Sequence, residues 1–163
     1  MTVEILHLYL SPGHNFFGHH GQPAGTNRIE EKTSIRCVAG KGIEGDRFFG
    51  HKEDYKGQIT FLAVEVFEGL CRDLGVSAQP PSVLRRNVVV RGLDLNGLIG
   101  KKFTLQGVRF EGTAECSPCY WMDQAVGPGA EAWLKGRGGL RARVLSDGVL
   151  EPGVAACVVE SDE

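Results

Sequence analysis

Cys116 and Cys119, separated by Ser117 and Pro118 in AECSPCYWMDQ (114–124), are the side chains of this sequence best equipped for chemistry. A thiolate is a nucleophile and a soft-metal ligand, and two thiols can close a disulfide. Several readings stay open on spacing alone. A thioredoxin-like pair should follow a strand and open a helix, and Tyr120-Trp121-Met122 is a poor helix start. A zinc site needs four ligands, so a second Cys or His pair must converge on this one. A single accessible thiolate with an idle neighbour would serve as a metal ligand or sulfur acceptor. Two unrelated, semi-buried thiols complete the set. Cys37, Cys71 and Cys157 are isolated in apolar strand or helix patterns and read as core residues.

Two basic stretches could grip an anion. In GIEGDRFFG (42–50) the glycines and the Asp46-Arg47 pair suggest a constrained backbone that presents Arg47. A guanidinium suits phosphate or carboxylate because its planar fork donates two parallel hydrogen bonds. Arg85, Arg86 and Asn87 stand at the mouth of the apolar run VVVRG and could bind an anion or the edge of a heterocycle. The alternative for each is a turn or strand entry whose charges pair with neighbours. His14, His19 and His20 fall in GHNFFGHH, which reads as a solvated loop more readily than as a zinc site.

The elements that must position these residues are mostly strands. VEILHLYL (3–10), SIRCVA (34–39), QITFL (58–62) and the strand within VLRRNVVVRG (83–92) are short apolar or alternating runs. Residues 11–33 read as a long loop. Val64, Phe67, Leu70, Cys71 and Leu74 recur with helical spacing and predict a helix over 63–74, closed by Gly75. KKFTLQGVRFEG (101–112) predicts a hairpin turning at Gln106-Gly107. A short helix is expected over 130–135. Residues 140–160 predict two or three strands with a turn at Asp147-Gly148. The whole predicts one β-rich (α+β) domain with a few helices, a twisted barrel.

Composition sets the outer limits. The chain has 163 residues, 42% hydrophobic and 23% charged, with a formal net charge of -2. That balance favours neither a nucleic-acid nor a membrane partner. The 23 glycines, roughly twice the usual share of about 7%, punctuate short apolar runs as turns do in strand-rich folds. No apolar run approaches the about 18 residues of a membrane span. An odd cysteine count of five, with no basic leader in MTVEILHLYL, points to a reducing cytoplasm.

Taken in order, these segments resemble a known family. RRNVVVRGLDLNGLIGKKFTLQGVRFEGTAECSPCYWMDQ is similar to the core of MOSC domains, named for the C-terminal domain of molybdenum-cofactor sulfurases. The shared pattern is Arg and Asn before an apolar strand, Gly-x-Asp, Ile-Gly, a hairpin and Cys-x-x-Cys, with GIEGDR matching an upstream Gly-x-x-Gly-Asp-Arg turn. The resemblance covers roughly residues 30 to 160. It implies a MOSC-type barrel that binds the molybdenum cofactor, a molybdopterin carrying a dithiolene and a phosphate. By the residue match, Cys119 would be the catalytic thiol and molybdenum ligand or a sulfur carrier. Arg47, Arg85, Arg86 and Asn87 would line the cofactor site with it. The implied activity is reduction of N-hydroxylated substrates or sulfur transfer. The implied partner is a separate electron-transfer protein or a pyridoxal-phosphate-dependent cysteine desulfurase, because 163 residues leave no room for the desulfurase domain of full sulfurases. Two further function classes remain beside it: a cofactor-free binding module on the same fold, and a thiol redox or zinc site built on Cys116 and Cys119.

Overall fold

A computed structural model describes residues 1–13, 28–77 and 79–161. The loop histidines His14, His19 and His20 lie outside the described residues. Eleven strands are described: β1 (Thr2–Leu10), β2 (Glu30–Lys32), β3 (Ile35–Val38), β4 (Gly42–Ile43), β5 (Ile59–Ala63), β6 (Val88–Arg91), β7 (Lys102–Leu105), β8 (Val108–Glu115), β9 (Leu140–Val144), β10 (Gly148–Leu150) and β11 (Gly153–Val159). Three α-helices accompany them: α1 (Val64–Leu74), α2 (Trp121–Ala125) and α3 (Ala130–Leu134).

The strands lie side by side in the order β11-β7-β8-β9-β5-β6-β1, and β1 pairs back onto β11. That closure makes a seven-stranded barrel and removes the free sheet edges. Short β2 extends from β1, and β10, β3 and β4 form a separate small sheet. Barrel pairs are antiparallel except β5 with β6, which α1 joins as a crossover.

Side-chain alternation divides the barrel wall into two faces. Ile59 and Phe61 of β5, Val88 and Val90 of β6, and Leu140, Ala142 and Val144 of β9 fill the interior. Phe61, Phe103 and Phe110 meet there with ring centroids 5.4–5.8 Å apart. The outward face carries Tyr9, Leu62 and Val89, over which Phe67 and Leu70 of α1, Met122 of α2 and Leu134 of α3 build a second apolar layer. In β1 the register slips between Ile5 and His7. This bulge lets Val3 and Ile5, then Leu8 and Leu10, all point inward although their parity changes.

Several sequence expectations match these elements. α1 ends where Gly75 takes the left-handed conformation (φ 64°) and donates its N–H to Arg72 O at 3.2 Å. The β7–β8 turn has φ of 50° at Gln106 and 80° at Gly107, the left-handed pair that a tight two-residue hairpin requires. Gln106 offsets its strain through two side-chain bonds to Glu151 backbone atoms, at 3.0 and 2.8 Å. The turn expected at Asp147-Gly148 falls earlier: the chain bends at Ser146, and Gly148 already opens β10, which leaves the barrel to pair with β3, while Asp147 Oδ1 accepts the Ala39 N–H at 2.8 Å.

Two further expectations are corrected. Residues 30–32, expected within a long loop, form β2 and pair antiparallel with Leu8 to Leu10 of β1. Trp121–Ala125 is helical despite its poor start. No side chain caps it; instead Met122 donates its N–H to Cys119 O at 2.9 Å, and burial of Trp121 and Met122 fixes the turn. Tertiary packing outweighs local propensity here.

Candidate functional site

An open pocket of about 610 Å³ lies against the outer face of the barrel wall. Thr60 and Arg141, paired across β5 and β9, form part of its floor. Their neighbours Ile59, Phe61, Leu140 and Ala142 point into the barrel, so alternation alone turns Thr60 and Arg141 outward. The remaining wall comes from residues 47–57 after β4, residues 84–87 before β6, Cys116 to Met122 after β8 and into α2, and Glu131 of α3. All five expected site residues, Arg47, Arg85, Arg86, Asn87 and Cys119, line this one pocket.

A buried carboxylate organises the first two loops. Asp46 Oδ1 accepts the Ser11 N–H at 3.1 Å and Asn87 Nδ2 at 3.3 Å, and Oδ2 accepts the Phe48 N–H at 3.2 Å. Arg47 Nη1 stands 3.8 Å from Asp46 Oδ1, too far for a hydrogen bond. That nitrogen is buried and has no hydrogen-bond partner among the described residues. Burial lowers the Arg47 pKa and the Arg86 charge adds to the effect, while Asp46 opposes it. The guanidinium also lies 4.8 Å from the centroid of the Phe48 ring.

The adjacent residues from 85 to 87 do three different jobs. Arg85 adopts a left-handed backbone (φ 59°), a conformation that costs a non-glycine residue about 1–2 kcal/mol. Its Nη2 donates to Ser11 Oγ and, at 3.0 Å, to Gly13 O. Burial, reinforced by the Arg47 charge, lowers its pKa to about 10. Arg86 is anchored by Nε to Gly138 O at 3.0 Å and Nη1 to Leu84 O at 3.1 Å. The Asn87 amide is used inside the protein: Nδ2 reaches Tyr9 O and Asp46, and Oδ1 accepts from Thr60 N and Thr60 Oγ1. Asn87 therefore positions the site more than it presents a free group to a ligand.

The two cysteines differ. Cys116 is 4% exposed, and burial raises its pKa against the opposing charges of Arg86 and Arg141. Its N–H donates to Gly139 O at 2.8 Å. A Cβ on Gly138 would stand 2.1 Å from Cys116 O, so the absence of a side chain there lets the two segments touch. Cys119 is half-buried at the pocket wall, beside the stacked rings of Tyr120 and Trp121 (4.6 Å). Both thiols are free. Among the described residues no group of three or more His, Cys, Asp or Glu gathers into a metal site, so a zinc reading has no ligand set there. Cys157 of β11 and Cys37 of β3 are buried in the same apolar cluster and Cys71 packs half-buried on α1, as expected of core thiols.

Sequence reading missed Phe48, Tyr55 and Arg141 at the pocket. Alternation in LRARV turns Arg141 outward, but it does the same to Arg143 and so does not single out the pocket residue. Tyr55 lies in an irregular segment, where no periodicity marks the direction of a side chain.

The fold and this thiol-and-arginine pocket define a small closed barrel with an open pocket on its outer wall. A family model for the MOSC domain matches residues 19–156, and the chain belongs to that family. Among solved structures it is similar to the YuaD protein from Bacillus subtilis, with 21% identity, a TM-score of 0.76, and 99% of this chain and 98% of that one covered. It is also similar to YiiM from Geobacillus stearothermophilus (17% identity, TM-score 0.66, 98% and 75% covered). YiiM from Escherichia coli gives 15%, 0.65, 100% and 71%. These likenesses establish a shared fold. No curated protein matches the chain in sequence. Among the described residues no helix is long and apolar enough to cross a membrane.

Proposed function

We propose that this MOSC protein binds the molybdenum cofactor in the outer-wall pocket, with Cys119 as the molybdenum ligand or as a sulfur carrier. The observation that carries the proposal is convergence. Cys119, Arg47, Arg85 and Arg86 come from three separate loops and meet at one cavity of about 610 Å³, within the size range of small-molecule sites.

The residues fit such a group chemically. A thiol at the wall offers soft sulfur, which suits a metal already held by dithiolene sulfur. Arg47 Nη1, buried and without a hydrogen-bond partner among the described residues, is a donor awaiting an acceptor. Arg47 and Arg86 would hold the anionic part of the cofactor, while Arg85 and Asn87 keep the loops in register. When bound, the cofactor would supply a metal centre able to exchange electrons or accept sulfur. Cys119 would hold that centre at the wall, and the Tyr120–Trp121 pair beside it would limit water. Electrons or sulfur would then come from a separate cytoplasmic protein.

The test is to purify the chain from a cofactor-competent host and measure molybdenum and pterin. Both should be present in a fixed ratio to protein and fall in Cys119→Ala, with pterin retained better than metal. Absence of molybdenum and pterin from the unaltered protein, even after reconstitution, would overturn the proposal.

A further inference from the structure

We infer that Arg141 is a ligand-binding residue of this pocket and that, with Arg47 and Arg86, it forms an anion site for a phosphate-class dianion. The inference deepens the cofactor reading, since it concerns the same cavity, but it rests on its own observations.

The first is placement. Arg141 faces outward on β9 opposite Thr60, half-buried, on the floor of the cavity. Its guanidinium carbon is 5.4 Å from the centroid of the Tyr55 ring. Gly57, which is buried, lies beneath it: a Cβ there would fall 2.9 Å from Nε and 3.2 Å from Nη2. Glycine thus keeps open the space that the guanidinium occupies, and the Tyr55 ring supports it.

The second is chemistry. The Arg141 side chain has no hydrogen bond and no carboxylate within 4.0 Å among the described residues. Arg143, two residues along the same face of the same strand, behaves differently. It pairs with Asp54 at 3.0 Å and Glu111 at 3.1 Å. The contrast is informative because both residues share strand, face and type. Arg143 is satisfied by its own protein, while Arg141 is held over the cavity with its five donors unused.

The third is the company it keeps. Arg47 Nη1 is buried without an acceptor among the described residues. Arg86 is fixed through Nε and Nη1, and its Nη2 makes no hydrogen bond among the described residues. Against these cations the cavity lining contributes one carboxylate, Glu131, while Asp46 sits behind it. Three planar forks with spare donors and excess positive charge suit a tetrahedral dianion, whose several oxygens can accept from all of them. The phosphate of a pterin cofactor and free phosphate share this chemistry.

The test uses the full chain produced in a host unable to make the cofactor, with inorganic phosphate as the probe, titrated by calorimetry at fixed ionic strength. The unaltered protein should bind phosphate. Arg141→Ala should weaken binding about tenfold or more, as loss of a charge-assisted bidentate contact does. Arg141→Lys should recover only part, and Arg143→Ala should leave it unchanged. No binding by the unaltered protein, or equal binding by Arg141→Ala, overturns the inference. So does equal weakening in Arg143→Ala. A parallel arm measures pterin and molybdenum after expression in a competent host. Arg141-dependent phosphate binding without pterin would leave the anion site standing and sink the cofactor reading. Full pterin loading in Arg141→Ala, together with unchanged phosphate binding, would do the reverse.

Discussion

Asn87 Nδ2 lies 3.3 Å from Asp46 Oδ1, and this contact joins the entry of β6 to the loop that carries Arg47. The same amide reaches Tyr9 O of β1 and both donors of Thr60 on β5. One buried side chain therefore ties three barrel strands and a site loop together. Substituting Asn87→Ala leaves Asp46 and the Tyr9 carbonyl short of partners and should destabilise the fold by about 3 kcal/mol. Denaturant unfolding measures this directly. A loss below the scatter of surface substitutions would show that the network contributes no stability.

The two pocket thiols should differ in reactivity. Cys119 is half-buried at the pocket, whereas Cys116, Cys37 and Cys157 are buried, and burial raises the pKa of each of those three. Alkylation of the native protein at neutral pH, read by mass spectrometry of peptides, should label Cys119 first. Cys116 should follow only on unfolding. Labelling of both at the same rate would contradict the asymmetric site.

Gly138 provides the steric test of the Cys116 segment. A methyl group there would meet Cys116 O, 2.1 Å from the Cβ position, and would also disturb the Arg86 bond to Gly138 O. Gly138→Ala should destabilise by about 1–3 kcal/mol, the range for overpacking a well-packed site. It should also speed alkylation of Cys116. Gly136→Ala, where a Cβ would meet nothing within 4 Å, separates this clash from a general effect of replacing glycine, although its φ of 83° carries some strain of its own.

How legible the chain was follows from where its information lies. α1, the Gln106-Gly107 hairpin and most barrel strands could be read because periodicity and turn chemistry are local. The exit of β10 from the barrel could not, because Asp147-Gly148 reads locally as a turn whereas Gly148 opens β10, and the choice of β3 as partner depends on contacts more than 100 residues away in sequence. The site divided in the same way. Arg47, Arg85, Arg86, Asn87 and Cys119 stood in motifs that resemble a family's, and they meet at one pocket. Nothing local told Asn87, with its amide fully used, from Arg47, with a donor unused. Arg141 was hidden by its charge, which reads as an ordinary outward strand residue until Gly57 and Tyr55 are placed against it.

Stability should fall at alkaline pH through two buried acids. Burial pushes the Cys37 thiol from its usual 9.0 up to about 12. Tyr9 rises from 10.0 to about 12, chiefly by burial, with the Glu31 charge adding and a hydrogen bond with Ser82 opposing. In both cases the folded state holds a proton that the unfolded chain has released. Between the unfolded and folded pKa values the native state binds more protons, so unfolding becomes easier as pH rises. The stabilisation is complete below about pH 9 and is lost progressively toward pH 12. At about 1.4 kcal/mol for each pKa unit, these rises carry ceilings of about 4 kcal/mol for Cys37 and about 3 kcal/mol for Tyr9. Tyr9→Phe should flatten the decline above pH 10, and Cys37→Ala should flatten the part that begins near pH 9, at some expense in packing. Melting temperatures across pH 8–11 measure both slopes. Slopes identical to that of the unaltered protein in both variants would place the alkaline transition on other groups.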